Sequence, residues 1–215
     1  MINLCFHGIG TPGRDLEPDE GQFWIEPEHF EELLSAAQEL PSVDLSFDDG
    51  NASDFSIALP ALVERGLTAS FFVIAGRLGH PGSLRAEDVR ALAEAGMTIG
   101  SHGMRHRPWR SLDEQAVLEE LEEAREAIEE VAGRPVEQAA CPFGAYDRST
   151  LRALKNHAYS RVYTVDRRPS RTDAWLQGRY VIRSSDTPDA VRGFGHDGFP
   201  RSLVLAAKTT AKRWR

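Results

Sequence analysis

The sequence predicts an α/β protein with parallel strands and helices packed outside them. Three observations carry this. Short apolar runs alternate with longer segments of helical periodicity. The unusual polar residues fall at the carboxyl ends of the apolar runs, where active sites of such folds lie. The composition, 41% hydrophobic and 27% charged over 215 residues, is that of an ordinary globular protein with a substantial core. Two architectures fit: an open doubly wound sheet or a closed barrel. No repeat, low-complexity segment or linker interrupts the chain, so a single domain over 1–215 is expected.

The elements follow in order. INLCFH, residues 2–7, reads as a strand. EPEHFEELLSAAQEL, 26–40, places Phe30, Leu33, Leu34 and Ala37 on one helical face. VDLSFDD, 43–49, is a second strand. ASDFSIALPALVERG, 52–66, is helical, bent or restarted at Pro60 and stopped at Gly66. TASFFVIAG is the third strand, RAEDVRALAEAG a helix closed by Gly96, and MTIGSH the fourth strand. The long helix 111–133 opens at Ser111 with Glu114 three residues on, the pattern of a capping box. It buries a stripe from Val117 to Val131, and its many glutamates read as a solvated face. VEQAACPFG is the fifth strand, DRSTLRALKNHA a helix, RVYTVD the sixth strand and RYVIRS the seventh.

Charge and cysteine content narrow the function. A net charge of −8 disfavours general nucleic-acid binding. Two cysteines, Cys5 and Cys141, make no disulfide framework. MINLCFHGIG lacks the basic start and apolar length of a signal peptide, and no apolar run reaches membrane-spanning length. A soluble, cytoplasmic protein is expected. Its basic tail AAKTTAKRWR reads as a solvated terminus, with peripheral membrane contact as the alternative.

The strand ends hold the chemistry. Asp48 and Asp49 are adjacent, although neighbouring strand residues face opposite ways and like charges repel. His7 ends strand one, His102 ends strand four with His106 four residues later, Cys141 to Phe143 end strand five, and Asp166 ends strand six. Asp49, His102 and His106 offer one carboxylate and two imidazoles, a set suited to catalytic zinc or iron(II). The rings converge if Gly103 to His106 forms a helical turn. A nearby cation would offset the repulsion of the paired aspartates and leave one of them free as a base. Taken singly, each feature has an ordinary reading. DDG is a common turn, H-x-x-x-H a common surface pair, and buried cysteines behave as small hydrophobes. Their conjunction at one rim is what argues for a site.

These residues resemble the polysaccharide deacetylases, the NodB-homology group of carbohydrate esterases. LSFDDG resembles that family's first motif, GMTIGSHGMRH its second, and CPFGAYD its third. The third usually carries an arginine just upstream, where Ala139 and Ala140 stand. The family's C-terminal histidine motif has no clear copy. LCFHGIG resembles the opening of a permuted subgroup, so His7 takes that role, with His196 in GFGHDGF as the weaker candidate.

The resemblance implies an irregular seven-stranded β/α barrel and a metal-dependent hydrolase that removes N-acetyl groups from amino sugars, releasing acetate. It implies a divalent metal, zinc first among candidates, on Asp49, His102 and His106, polarising the acetamide carbonyl and acidifying a water. Asp48 would be the base and His7 the acid that protonates the departing amine. The Phe143 N–H would meet the oxyanion. Asp166, Arg168 or Arg183 would orient acid or base. The expected partner is an N-acetylated glycan, with an intracellular precursor favoured by location; the oligomeric state is open. Two other classes stay in view: a cysteine amidase with Cys141 as nucleophile and His7 as base, and a non-catalytic glycan-binding protein on the same fold.

Overall fold

The computed structural model describes residues 1–195. The expected alternation is present. Among the described residues eight strands form one sheet: β1 (Ile2–Phe6), β2 (Val43–Asp49), β3 (Ser70–Val73), β4 (Thr98–Ser101), β5 (Gln138–Ala140), β6 (Arg161–Thr164), β7 (Leu176–Gly178) and β8 (Tyr180–Val181). Their order is β7-β6-β5-β4-β3-β2-β1-β8, and every neighbouring pair is parallel.

The count exceeds the expected seven for a local reason. The last extended segment is shared between two edges. β7 pairs with β6, and after the single residue Arg179 the chain pairs as β8 with β1. The two ends of the sheet are thereby drawn together. Asn3 of β1 reaches across the seam, its amide donating to Gln177 Oε1 at 3.0 Å and Gly178 O at 2.9 Å. The sheet is thus a nearly closed β/α barrel, the second of the two architectures.

Side-chain alternation divides each strand between barrel interior and outer layer. Leu45 and Phe47 of β2 join the cluster under the helices, where Phe47 stacks on Phe71 at 4.8 Å and Phe6 meets Phe30 edge-on at 5.3 Å. Ser46 and Asp48 point the other way and are buried with Arg179. Helices α1 (Pro27–Gln38), α2 (Leu59–Glu64), α3 (Ala86–Glu94), α4 (Glu114–Val117), α5 (Ala124–Ala132), α6 (Arg148–Asn156) and α7 (Pro188–Gly193) cover the outside. The helical run is continuous from 52 to 64: a π-helical segment, Asp54–Ala58, leads directly into α2, with Pro60 at the junction, so the helix neither stops nor restarts there.

The long helix differs from its sequence reading in two ways. Its cap is Asp113, whose carboxylate accepts the Ala116 N–H at 2.8 Å, rather than Ser111. Ser111 instead takes a left-handed backbone (φ 58°) and donates its N–H to Asp147. Between α4 and α5 the chain runs through a π-helical segment, Leu118–Glu123. Within that segment Glu120 is fully buried, so the glutamate face is not uniformly solvated. Gly133 closes α5 with φ 67°. Among the described residues no helix is long and apolar enough to cross a membrane.

Candidate active site

The strand ends on the rim of β1, β2, β4, β5 and β6 face one cavity of about 340 Å³, within the range of small-ligand sites. His7, Asp48, Asp49, His102, His106 and Phe143 all line it. The segment between β1 and α1 adds Glu17, Asp19, Glu20 and Phe23. Five of the six rim positions singled out from sequence for metal or proton chemistry therefore meet, together with Phe143.

The backbone explains how two adjacent aspartates reach one cavity. Asp48 follows strand alternation inward. Asp49 has φ 77°, a left-handed conformation that ends the strand and cancels the alternation. Its Oδ1 then lies 3.5 Å from His102 Nε2, while Asp48 Oδ2 lies 3.9 Å from the same nitrogen. His106 (φ 52°) and Phe143 (φ 56°) are also left-handed. Such strain in non-glycine residues gathers at functional sites.

The two histidines do not converge through a helical turn, as the spacing alone suggested. Residues 103–106 form a loop, held by the buried Glu120 carboxylate, which accepts the Met104 N–H at 3.0 Å, the Arg105 N–H at 3.2 Å and the Trp109 indole N–H at 3.3 Å. Gly103 is required here: its φ is +82°, and a Cβ would sit 2.3 Å from Glu120 Oε2.

Hydrogen bonding decides which ring nitrogens face the cavity. His102 Nδ1 is 2.8 Å from Ala140 O, so it must donate. His106 Nδ1 is 3.1 and 3.2 Å from the two Glu17 oxygens and donates likewise. Burial brings the His102 pKa down to about 4, against the pull of Asp48, so that ring is neutral at neutral pH. A neutral ring donating from Nδ1 presents a lone pair at Nε2. Both Nε2 atoms face Asp49 Oδ1, at 3.5 Å (His102) and 3.3 Å (His106), and that oxygen is buried without a hydrogen-bond partner. The His102 lone pair directed at a carboxylate oxygen is repulsive unless a cation lies between them. The three donor atoms lie within 4.8 Å of one another. The donor set thus fits a divalent cation.

The family model for polysaccharide deacetylases matches residues 36–162, more than half of the chain. The chain belongs to the polysaccharide deacetylase family. Its relatives include Bacillus subtilis YxkH, provisionally described as a polysaccharide deacetylase, 24% identical over 93% of this chain and 76% of that protein. Among solved structures, the Streptococcus pyogenes deacetylase PplD in complex with acetate superposes with TM-score 0.77 at 19% identity, over 90% of this chain and 97% of that one. A Bacillus anthracis protein of the same provisional description, BA0330, gives TM-score 0.75 at 20% identity, over 90% and 68% of the respective chains. At these identities the structural likeness speaks for the NodB-like barrel fold.

In this member of the family the partner of Asp48 is a residue that sequence reasoning missed. Arg179, between β7 and β8, makes a two-pronged bond to Asp48, Nη1 to Oδ1 and Nη2 to Oδ2, each at 2.7 Å, with the guanidinium wholly buried. It also bonds Ser46 Oγ and lies over the Phe72 and Tyr163 rings. Burial alone would raise the Asp48 pKa. Arg179, with His102 and His7 adding to the field, overrides it and holds the carboxyl well below the usual carboxylate range.

Neither Arg168 nor Arg183, the sequence candidates, holds this place. A signal for Arg179 existed: Tyr180 and Ile182 belong to the outer core, so alternation turns Arg179 and Val181 inward. What no sequence pattern showed was that this arginine, 131 residues from Asp48, would meet it.

Removing one partner of a buried pair leaves the other charge uncompensated. Arg179→Met is therefore expected to cost about 3–5 kcal/mol at neutral pH, read by chemical denaturation. The pH dependence carries a definite sign. Asp48 titrates below its unfolded value in the wild type, so the pair's stability is present above that value and lost as pH falls through the lower folded one. In the variant burial raises the Asp48 pKa, and the gap between the two proteins should narrow below about pH 4.

The other residues at the strand ends take distinct places. His7 lines the cavity, stacks on Phe23 at 5.0 Å, and has a buried Nδ1 without a hydrogen-bond partner. Phe143 is 56% exposed, with its ring 4.4 Å from that of His106. Asp166 accepts from Tyr146 Oη and Thr164 Oγ1, both at 2.8 Å, and does not line the cavity; the group that orients Asp48 is Arg179 instead. Cys141 is buried in the cluster of Trp109, Leu121 and Tyr146, away from the cavity lining, which does not suit a nucleophile. Cys5 is fully buried, and burial pushes its thiol pKa well up. His196 and the basic tail lie outside the described residues.

Proposed function

We propose that this chain is a metal-dependent N-deacetylase that releases acetate from N-acetylated amino sugars of a glycan, oligosaccharide or glycan precursor. The observation that carries the reading is the convergence of the His102 and His106 Nε2 atoms on the buried Asp49 oxygen, which has no hydrogen-bond partner. Asp49, His102 and His106 would hold a divalent ion, zinc first among candidates, which when bound would polarise an amide carbonyl as a Lewis acid and acidify water.

The chain's own groups do the rest. Asp48, ionised at neutral pH, accepts a proton from the attacking water. The two-pronged grip of Arg179 aims the carboxylate and stops it from turning away. His7 donates a proton to the departing nitrogen, which is too basic to leave as an anion. Phe143 lines the cavity, and its backbone N–H would donate to the developing oxyanion. The Phe23 and Phe143 rings and Val181 offer apolar surface to a sugar face and an acetyl methyl. Asp166 holds Tyr146 and Thr164 behind this wall, a supporting role. The acetate seen with the Streptococcus pyogenes relative is the product this reading expects.

The test is acetate release from N-acetylglucosamine oligomers, with metal content measured alongside. Treatment with a strong chelator should abolish release, and added zinc should restore it. The His102→Ala/His106→Ala double variant should lose both metal and activity. Equal metal content in wild type and double variant would refute the metal site, and release that persists through chelation would refute the mechanism.

A further inference from the structure

We propose that Glu17 is a positioning residue that fixes the tautomer and orientation of His106, so that the segment between β1 and α1 sets metal affinity together with the three donors. The inference rests on the metal-site reading above and extends it to a residue in none of the matched motifs.

The two histidines are supported unequally. His102 is held by a backbone carbonyl, Ala140 O, whose position the sheet determines. His106 stands on a strained loop residue, and the hydrogen bond at its Nδ1 goes to a side chain, Glu17. A carboxylate there keeps the proton on Nδ1, makes Nε2 the better donor and stops the ring from rotating.

The position of Glu17 is itself specified. Its N–H donates to the Glu20 carboxylate at 2.8 Å. Glu20 is nearly buried, pairs with Arg14 and accepts from Trp24, and Arg14 reaches Asn51 Oδ1 at 3.1 Å, two residues beyond Asp49. Arg77, from the turn after β3, also pairs with Glu17. The segment is thereby tied to the same strand end that carries Asp49. A partly exposed glutamate in an irregular stretch would otherwise need no such set of ties.

The experiment measures zinc affinity by competition with a chromophoric chelator, on the full chain, for wild type, Glu17→Gln, Glu17→Ala and Arg77→Met. Glu17→Ala should bind zinc roughly 10–100-fold more weakly. Glu17→Gln should fall between, since its amide oxygen still accepts from Nδ1 but carries no charge. Arg77→Met should lose less than Glu17→Ala, because the bond from the Glu17 N–H to Glu20 remains and the Glu17 carboxylate is still present. The His106 Nδ1–H proton, observed by NMR in the metal-loaded wild type, should be lost in Glu17→Ala, and the thermal midpoint of the metal-free proteins should hardly move.

Wild-type binding with both Glu17 variants within twofold of it would overturn the inference alone. So would an equal loss in Arg77→Met, which would make Glu17 a mere anchor for the segment. A wild type that binds no zinc would remove the metal-site reading and this inference with it.

Discussion

Replacing Asp48 by asparagine is expected to abolish turnover while the metal stays bound. An amide of the same shape cannot take up the proton that the attacking water must lose. Loss of a general base is worth about 10²–10⁴ in rate. The metal should remain, because Asp49, His102 and His106 are untouched and Asp48 Oδ2 is 3.9 Å from the nearest histidine nitrogen. Asp49→Ala should fail differently, losing metal affinity and activity together. Asp48→Asn strands the buried Arg179 charge and should destabilise the fold by about 3–5 kcal/mol. The double variant Asp48→Asn/Arg179→Met removes both charges, so it should recover much of that stability and none of the activity. Recovery of turnover in the double variant would mean that Asp48 acts only as a structural partner of Arg179. A metal-free Asp48→Asn beside a metal-loaded Asp49→Ala would mean that the two roles are reversed.

His7→Ala is expected to lower kcat for an N-acetyl amino sugar by about 10²–10⁴-fold, the usual cost of losing a general acid. The reason is the leaving group. An amine departs only with a proton, whereas the alcohol of an activated acetyl ester departs without one. The deficit on such an ester should therefore be much smaller, and the contrast between the two substrates is the measurement. His7 has the placement for this role: it lines the cavity, is stacked on Phe23 and shares a cluster with Asp48 whose polar atoms lie within 4.8 Å. Equal losses on amide and ester would point to a structural role for the ring. A full amide deficit in His196→Ala, with His7→Ala near wild type, would move the acid to the C-terminal segment.

Much of this protein was legible in one dimension because its cues are local. Strand and helix alternation depends on side-chain periodicity, and periodicity survives without any tertiary contact. The strand-end rule then placed His7, Asp48, Asp49, His102 and His106 at one rim, and all five line the cavity. The motifs LSFDDG and SHGMRH carry the candidate metal donors within a few residues of their strand ends, so short-range spacing sufficed.

What the tertiary structure alone decided is the set of partners brought together by closure of the barrel. Arg179 meets Asp48 because one segment pairs with both edges of the sheet, a register that no local pattern encodes. Glu17 meets His106 across 89 residues, and Glu120 turns inward from a helix otherwise rich in exposed glutamate, because an open loop beneath it needed acceptors for its N–H groups. The answer to the adjacent aspartates was also conformational. A left-handed Asp49 turns the second carboxylate into the cavity that alternation assigns to the first. Charges pair according to distance in space, and the distances are set by how the sheet closes.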